Sequence, residues 1–499
     1  MVPIAAWCAP VFLLRFARNA KRGWIAHLMI FAAYMAANFI ALRGMPLSVF
    51  GVIVIPLFRG LAYSLPCAAD RRISRRLTGW ARVLIFPLAF TTVDWVMSLL
   101  PSITSAGSPA YSQYSNQVLM QIVSLTGMWG VTFLIMWFAS TINQLWERRF
   151  DWRTVRGTVG VYAAVLLATV LFGSIRVDMA SPTAKTVEVA TVTTGREVQE
   201  AAIKGVEWVT FNRLTDPERA AARPLFEATV EQMLARIDTA LRGGAKIVGT
   251  QESAAFVLEE DTQSVLDRAA ALARQYDAYV EVSLWAPTVS KSWPYVHNES
   301  ILLGPSGSVL WNYEKTHLVS GGENYIVIAG DGRLPVVDTP YGRLSPAICN
   351  DMHFPALIRQ AGRNGVDILI ASYDEMRPFD EHAAAVSRAI ENGVSLVRPT
   401  MNGVSLVADY QGRVLGSQDY DSSDSGIMVT TIPMHGVRTL YSRIGDVFAY
   451  LCVAGFALLQ ALAIAGVRNP QGQPKGRWHS GRQKGAFCEG GPRGHPLTP

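Results

Sequence analysis

Long apolar stretches fill the first third of the chain and recur once near its end. Six follow one another and a seventh stands alone, at 2–14, 24–42, 47–66, 82–100, 117–140, 157–175 and 445–466. Most approach the roughly 20 residues that cross a bilayer core of about 30 Å. They predict a bundle of transmembrane helices over 1–178 and one more transmembrane helix over 443–467. The first stretch has only about 13 residues, short for a span, which leaves open whether a preceding span is missing.

Between 179 and 442 the pattern changes to short β-like runs that alternate with amphipathic helices. Alternation with a period of two residues is typical of strands, and apolar residues three or four positions apart are typical of helices. Strands are predicted at 187–193, 245–249, 278–285, 300–303, 308–313, 344–348, 368–372, 395–399, 403–410, 413–416 and 426–431. Helices are predicted at 225–241, 265–275, 356–362 and 381–392. Elements in this order predict a layered α/β domain of about 260 residues.

Charged residues are few and unevenly placed. The chain is 50% hydrophobic and 17% charged, with a net charge of +6 and a mean hydropathy of +0.21. Basic residues gather in alternate loops, at 15–22, 71–76 and 148–156, and such loops lie on the cytoplasmic side of membrane proteins. The region 179–442 is therefore predicted to be extracytoplasmic, and the Gly/Pro-rich basic segment 468–499 to be a disordered cytoplasmic tail. No basic stretch carries a recognition motif, so no nucleic-acid partner is expected.

The cysteines point to one candidate nucleophile. There are five in the chain, and only Cys349 lies between 179 and 442, which excludes a disulfide within that region. No Cys/His spacing is typical of a zinc site, and we expect no cofactor. Cys349 follows an apolar run and precedes Phe354-Pro355, which places it on a strand-to-helix turn. Backbone N–H groups at a helix start can stabilise a thiolate, although a free cysteine is often a buried core residue.

Two further polar residues stand where apolar runs end. Glu252 follows 246–251, and Lys315 follows 309–314. Where strand ends converge, a carboxylate can take the proton of a thiol and an ammonium can stabilise an oxyanion on a substrate carbonyl. Taken singly, Glu252 also fits an acid at a helix N-terminus, and Lys315 a solvated surface residue. Together with Cys349 they predict acyl-transfer chemistry.

Several motifs in the polar half are similar to those of the carbon–nitrogen hydrolase (nitrilase) superfamily. They are Thr250-Gln-Glu252-Ser-Ala, Tyr313-Glu-Lys315-Thr-His317-Leu-Val with Gly322-Glu323 behind it, Ile348-Cys349, and the stretch 398–405. With the stretches 111–113 and 121–127 of the membrane half, nearly the whole chain resembles the apolipoprotein N-acyltransferase family of bacterial membrane enzymes. The resemblance implies a nitrilase-like α-β-β-α sandwich on the periplasmic side of the inner membrane.

The resemblance also implies roles for four residues. Glu252 would be the general base, Lys315 would stabilise the tetrahedral intermediate, and Cys349 would be the nucleophile that becomes a thioester. Glu323 would support the site. The implied partners are a phospholipid acyl donor and a lipoprotein whose diacylglyceryl-cysteine amine, or a related amine, accepts the chain.

The residues around the nucleophile depart from the acyltransferase pattern. Asn350-Asp351 stands where that family usually has Tyr-Glu, and Ser320-Gly321 where it has Pro-Phe. The stretch 349–355 is closer to soluble amidases of the superfamily. A membrane-tethered amidase or hydrolase is therefore the alternative, and a non-catalytic protein is disfavoured because the four motif residues are all present. Several spans favour a lipid substrate, since a soluble substrate would require one anchor at most.

Other polar residues receive weaker assignments. Asp94 and Arg59 fall inside apolar segments, and we expect them to be structural, paired with each other or facing a lipid headgroup. Asn298 belongs to a glycosylation sequon, to which we assign no role in a bacterial protein. The segments 204–219 and 374–379 are candidate lids on length and composition alone.

Overall fold

The computed structural model describes residues 3–42, 49–178, 185–204, 216–290, 292–375, 381–422 and 425–465. The predicted tail at 468–499 and the greater part of both candidate lids lie outside the described residues. The helices are α1 Pro3–Asn19, α2 Gly23–Ala41, α3 Val49–Ile73, α4 Gly79–Ser98, α5 Gln117–Met120, α6 Val123–Thr126, α7 Trp129–Glu147, α8 Trp152–Asp178, α9 Arg196–Lys204, α10 Asp216–Arg242, α11 Thr262–Tyr276, α12 Glu323–Ile326, α13 Pro355–Asn364, α14 Glu381–Asn392, α15 Leu440–Ile444 and α16 Val447–Ile464.

Five of the described helices are long and apolar enough to cross a membrane, namely α2, α3, α4, α8 and α16. The protein is a membrane protein. Helix α1 runs past the predicted end at residue 14 because Arg18, in its last turn, is neutralised by the buried Asp70, with an Nε–Oδ2 distance of 2.7 Å. A charge that is paired in this way can lie within a helix bundle.

The span predicted over 117–140 is not a single straight helix. The segment breaks into α5, α6 and α7, and the chain bends by 115° between the α5–α6 part and α7. Gly127 lies at the break with φ +65°, and a Cβ atom there would lie 2.6 Å from the ring of Tyr441. Only glycine combines this backbone conformation with so close an approach. The freed N–H of Met128 donates to the carboxylate of Glu391 at 2.7 Å.

Asp94 and Arg59 support one loop of the membrane half. The carboxylate of Asp94 accepts hydrogen bonds from the hydroxyls of Tyr63, Ser108 and Thr132 at 3.0, 2.6 and 2.9 Å. The guanidinium of Arg59 donates to the Ile103 carbonyl of the same loop at 2.8 Å. Both charges therefore hold the segment 101–108 against the bundle, which is a structural role.

The polar half contains two mixed sheets. Its strands are β1 Thr186–Val192, β2 Ile247–Thr250, β3 Ala255–Phe256, β4 Tyr279–Pro287, β5 Val296–Leu303, β6 Val309–Glu314, β7 Val337–Thr339, β8 Gly342–Ile348, β9 Ile368–Asp374, β10 Ser395–Arg398, β11 Thr400–Met401, β12 Val404–Ala408, β13 Val414–Asp419 and β14 Ile427–Pro433. The first sheet has the order β14-β1-β2-β4-β5-β6, with β3 beside β4. The second has the order β13-β12-β10-β9-β8-β7, with β11 beside β9. The central β1, β2 and β4 are mutually parallel, as are β8, β9 and β10.

The two sheets pack face to face between two helical layers. Helices α10 and α11 cover the first sheet, where Val230 and Met233 pack with Val248 and Val280. Helices α13 and α14 cover the second sheet. Because both faces of each central strand are buried, the strands are continuous apolar runs, as parallel sheets require. The predicted α-β-β-α sandwich beside an apolar helical region is confirmed.

The α13–α14 layer is also the face that packs on the membrane half. Arg388 of α14 donates to Glu391 at 3.0 Å and to the hydroxyl of Tyr111 at 3.4 Å. Both members of the Arg388–Glu391 pair are fully buried at this junction. The pair lies within α14, and each member also contacts the membrane half, Arg388 through Tyr111 and Glu391 through the Met128 N–H at 2.7 Å. These buried polar contacts join the polar half to the bundle.

Candidate active site

Cys349 lies at the end of β8, where the chain leaves the strand. It has φ +43° and opens a short 3₁₀ turn, Cys349–His353, that leads into α13. A positive φ is strained for a residue with a side chain and is often found at functional turns. The side chain is 5% exposed, and its Sγ donates to the backbone carbonyl of Asp374 at 3.7 Å. The structure therefore places Cys349 on the predicted strand-to-helix turn.

Lys315 follows β6 and is buried, contrary to the solvated alternative. Its side chain is 1% exposed, and Nζ lies 2.7 Å from Oε1 of Glu252 and 2.7 Å from Oε1 of Glu323. Burial lowers the pKa of Lys315, but the two carboxylates and Cys349 outweigh it and raise this pKa well above its ordinary value. The Lys315 ammonium therefore lies between two carboxylates that favour its charged form.

Glu252 follows β2, and hydrogen bonds to the backbone of Asp374 connect it to Cys349. Its Oε2 accepts a hydrogen bond from the backbone N–H of Asp374 at 3.1 Å. The carbonyl of that same Asp374 accepts from the thiol of Cys349. The strand end of β9 thus lies between the carboxylate and the thiol, and the structure brings all four predicted residues together.

Asp374 adds a titrating carboxyl beside this set. Burial, and then the charge of Glu252, raise its pKa to about 7. Its Oδ1 accepts from the side-chain amide of Asn402, 2.8 Å away. Asp374 was expected only as the first residue of a candidate lid over 374–379, whereas the structure places it at the end of β9 beside Glu252.

Asn298 is the second residue that the sequence analysis missed. Its Nδ2 donates to Oε1 of Glu252 at 2.8 Å and lies 3.5 Å from Oε1 of Glu323. Strands β5 and β6 pair with Glu299 opposite Glu314, so the same register sets Asn298 beside Lys315. Extension of the predicted hairpin by two residues would have located it.

Asp351 connects the turn Cys349–His353, which we call the nucleophile turn, to β6 and to the loop that follows Lys315. Its carboxylate accepts from the Tyr313 hydroxyl at 2.7 Å, the His317 N–H at 2.8 Å and the Ile348 N–H at 3.1 Å. Burial nevertheless raises the pKa of Asp351 to about 6. The neighbouring Asn350 donates to the His317 carbonyl at 3.1 Å. Asn350 and Asp351, two of the four residues that depart from the family pattern, thus contact the loop after Lys315.

His317 packs against Phe354, the residue that precedes α13. Its ring stacks on Phe354 with centroids 3.5 Å apart. Burial lowers the pKa of His317 to about 4, so the ring is neutral at pH 7. Among the residues that the structure describes, no group of three or more His, Cys, Asp or Glu could hold a metal ion.

Two family models match this chain. The carbon–nitrogen hydrolase model matches residues 220–441, and the model of the apolipoprotein N-acyltransferase N-terminal domain matches residues 1–141. The chain belongs to the apolipoprotein N-acyltransferase family. It is thus a nitrilase-superfamily enzyme with a membrane half.

Relatives over most of the chain carry the same name. An apolipoprotein N-acyltransferase of Geobacter metallireducens is 26% identical over 77% of this chain and 75% of its own length. One of Bradyrhizobium diazoefficiens is 26% identical over 85% of this chain and 81% of its own. A deaminated glutathione amidase of Synechocystis is 28% identical over 36% of this chain and 73% of its own length. Among solved structures, an amidase from Nesterenkonia sp. is 18% identical over 53% of this chain and 95% of that chain, with a TM-score of 0.40.

Proposed function

We propose that this protein is an N-acyltransferase that moves a fatty acyl chain from a phospholipid, through a thioester on Cys349, to the α-amine of the diacylglyceryl-cysteine of a lipoprotein. The observation that carries the proposal is the position of the buried Lys315 ammonium, 2.7 Å from both Glu252 and Glu323 and near Cys349. In this proposal Glu252 is the general base, Lys315 the oxyanion partner and Glu323 a supporting carboxylate.

The first half-reaction forms the thioester. Glu252 takes the proton of the Cys349 thiol, which leaves its hydrogen bond to the Asp374 carbonyl. The sulfur attacks the ester carbonyl carbon of the phospholipid, and the resulting oxyanion is stabilised by the ammonium of Lys315. When the intermediate collapses, the glycerol oxygen leaves and takes the proton from Glu252. The products are a lysophospholipid and an acyl-Cys349 thioester.

The second half-reaction transfers the chain. The amine of the acceptor attacks the thioester carbonyl, and Glu252 takes a proton from the attacking nitrogen. Lys315 again stabilises the oxyanion. The C–S bond then breaks, and the sulfur leaves as the thiolate that regains the proton. Glu323 and Asn298 hold Lys315 and Glu252 in place through both steps.

The membrane arrangement is part of this proposal. We assign 1–178 to the transmembrane bundle, 179–442 to an extracytoplasmic catalytic domain and 443–467 to the last transmembrane helix. Arg71 and Arg72 end α3, and Arg148 follows α7, whereas the loop 101–108 at the other end of the bundle touches the catalytic half. Basic loops favour the cytoplasm, so the catalytic half lies on the opposite side. A lipid substrate in the outer leaflet would then reach the site laterally.

A membrane-tethered amidase is the second candidate. It is favoured by the similarity of the catalytic half to the Synechocystis amidase and by Asn350-Asp351 after the nucleophile. In that case the thioester would be hydrolysed by water instead of passing to an amine.

The test is intact-protein mass spectrometry of the detergent-purified full chain after incubation with phospholipid. We expect a mass gain of one acyl chain that hydroxylamine removes, and that Cys349→Ala lacks. Cys452→Ala is the matched control, because Cys452 is buried in α16. Addition of a diacylglyceryl-cysteine peptide should discharge the thioester into an N-acylated peptide. A folded protein whose Cys349 reacts with a thiol reagent but never takes up acyl mass would contradict the proposal, and discharge to free fatty acid alone would favour the hydrolase.

A further inference from the structure

A cavity of about 360 Å³ lies where the end of α8 meets α6 and the catalytic half. Its apolar wall includes Leu125, Phe172, Ile175 and Leu440. None of the four predicted site residues lines it. The cavity is therefore separate from the site that holds Cys349, and a ligand bound in it would be independent of the proposed acyl transfer.

The rim of the cavity carries two cations. Arg176, in the last turn of α8, and Arg438, just before α15, both line it. No lining residue among those described is acidic, and neither arginine has an acidic ion-pair partner among the described residues. The nearby Asp409 accepts the N–H groups of Gln411 and Arg413 at 2.9 Å each, so its carboxylate is engaged in its own turn. Arg438 donates from Nη1 to the Gly362 carbonyl at 2.9 Å, which leaves its charge without an acidic counter-ion. An anion that enters the cavity would supply one for both arginines.

The position of the apolar wall indicates what enters. Ile175 and Leu440 are 58% and 46% exposed, although both are large apolar side chains. Phe172, Ile175 and Arg176 lie in the last two turns of α8, a candidate span whose C-terminal end the proposed topology places at the outer surface. Apolar side chains beside a cationic rim at the end of a span match a lipid, whose acyl chains lie in the bilayer and whose phosphate lies at its surface.

The cavity is held open by buried polar contacts. Gln411 is 2% exposed, and its Nε2 donates to the backbone carbonyl of Arg176 at 2.5 Å. The carbonyl of Gln411 accepts from Nε2 of Gln121 at 2.9 Å. These bonds tie the end of α8 to the bundle and to the catalytic half, so the two walls do not have to be assembled when a ligand binds.

We propose that this cavity binds an anionic glycerophospholipid of the outer leaflet, with the phosphate between Arg176 and Arg438 and an acyl chain along Phe172 and Ile175. Two cations with no acid on the rim favour a headgroup with a net negative charge over a zwitterionic one. The bound lipid fills the gap between α8 and the catalytic half and strengthens their contact. We distinguish it from the acyl donor because Glu252, Lys315 and Cys349 do not line the cavity.

The test uses the full chain in detergent, with phosphatidylglycerol as the probe and phosphatidylcholine of the same acyl chains as the comparison. Native mass spectrometry and thermal melting should show that phosphatidylglycerol stays bound and raises the Tm. In Arg176→Gln/Arg438→Gln its affinity should fall about tenfold to a hundredfold. The control is Arg443→Gln. Arg443 is an exposed residue of α15 that does not line the cavity, so this variant should bind phosphatidylglycerol as tightly as the unaltered protein. Acyl uptake by Cys349 is measured on the same samples.

Three outcomes would overturn the proposal. Equal phosphatidylglycerol affinity in the double variant and the Arg443→Gln control would remove the two arginines from the site. An equal Tm gain with sn-glycerol 3-phosphate would indicate a site for a free anion instead of a lipid. If the double variant does not fold, the unaltered protein still decides, because equal retention of phosphatidylcholine and phosphatidylglycerol contradicts an anionic-lipid site.

Discussion

Ser105, in the membrane half, donates a 2.7 Å hydrogen bond from its hydroxyl to the backbone carbonyl of His353, four residues after Cys349. The same hydroxyl lies 2.7 Å from that of Tyr111, and the Ser105 N–H also reaches the His353 carbonyl at 3.3 Å. The loop 101–108 is in turn fixed by Asp94. The nucleophile turn is therefore supported by a residue of the bundle, which gives the membrane half a role beyond anchoring.

Ser105→Ala should slow thioester formation at Cys349. Loss of one buried hydrogen bond costs about 1–2 kcal/mol, which corresponds to roughly a tenfold effect if it acts on the geometry of the turn. The measurement is the rate of acyl uptake by mass spectrometry. Ser112→Ala is the matched control, since the Ser112 hydroxyl bonds only within its own turn, to Pro109, and to Gln113. Equal rates in the two variants would show that Ser105 does not position the turn.

Lys315→Met should abolish acyl uptake and also destabilise the protein. Removal of the ammonium leaves Glu252 and Glu323 buried beside each other, and breaking such a buried pair costs about 3–5 kcal/mol. Addition of Glu323→Gln should restore much of the Tm but none of the acyl uptake. Lys246→Met is the control, because the Lys246 ammonium donates to the backbone carbonyls of residues 276 and 277 and pairs with no carboxylate among the residues that the structure describes. Recovery of acyl uptake in the double variant would contradict the role of Lys315.

Asn298→Asp should make the rate of acyl uptake by Cys349 decrease as the pH rises. A third carboxylate next to Glu252 and Glu323 disfavours charge on all of them, so acyl uptake at pH 8 should fall by about tenfold or more. Part of it should return as the pH falls toward 5. The matched control is Asn312→Asp. The side-chain amide of Asn312, on β6, donates to the carboxylate of Glu299, on β5, at 2.9 Å. A loss of the same size in the control would assign the effect to sheet stability alone.

Glu281→Gln should increase the free energy of unfolding relative to the unaltered protein, and this difference should grow as the pH rises. Glu281 is fully buried between the sheets, where it accepts from the Thr250 N–H at 2.7 Å and from Ser372 at 3.2 Å. Burial raises the pKa of Glu281 from 4.5 to about 7. A raised carboxyl pKa gives stability that is full below pH 4.5 and is lost as the pH rises through 7. The glutamine keeps the uncharged form, so its advantage should grow from near zero at pH 4.5 to at most about 3 kcal/mol at pH 8.

The measurement for Glu281→Gln is the difference in Tm between the variant and the unaltered protein across that pH range. Glu231→Gln is the control, since Glu231 is exposed on α10 and pairs only with Arg268. A Tm difference that does not change with pH would contradict the raised pKa of Glu281.

Local sequence patterns predicted five candidate spans, most strands and helices of the polar half, and the candidate site residues Glu252, Lys315 and Cys349. These features have local signals, because the periodicity of apolar residues and the residues that end each strand can be read over 5 to 20 positions. The convergence of Glu252, Lys315 and Cys349 was anticipated because each follows the end of an apolar run, and strand ends can converge on one pocket. The family resemblance added Glu323, which no local pattern distinguishes.

The bend at Gly127, the position of Asn298 and the contacts of Asp374 depend on tertiary contacts. The bend depends on the close approach of Tyr441 and on the Glu391 carboxylate, both more than 250 residues away. Asn298 enters the site through strand register, and Asp374 does so because β9 lies in the opposing sheet. The cavity at Arg176 likewise exists only where two halves of the chain meet. Such contacts join residues that are distant in sequence, so no local pattern of hydrophobic and polar positions carries them.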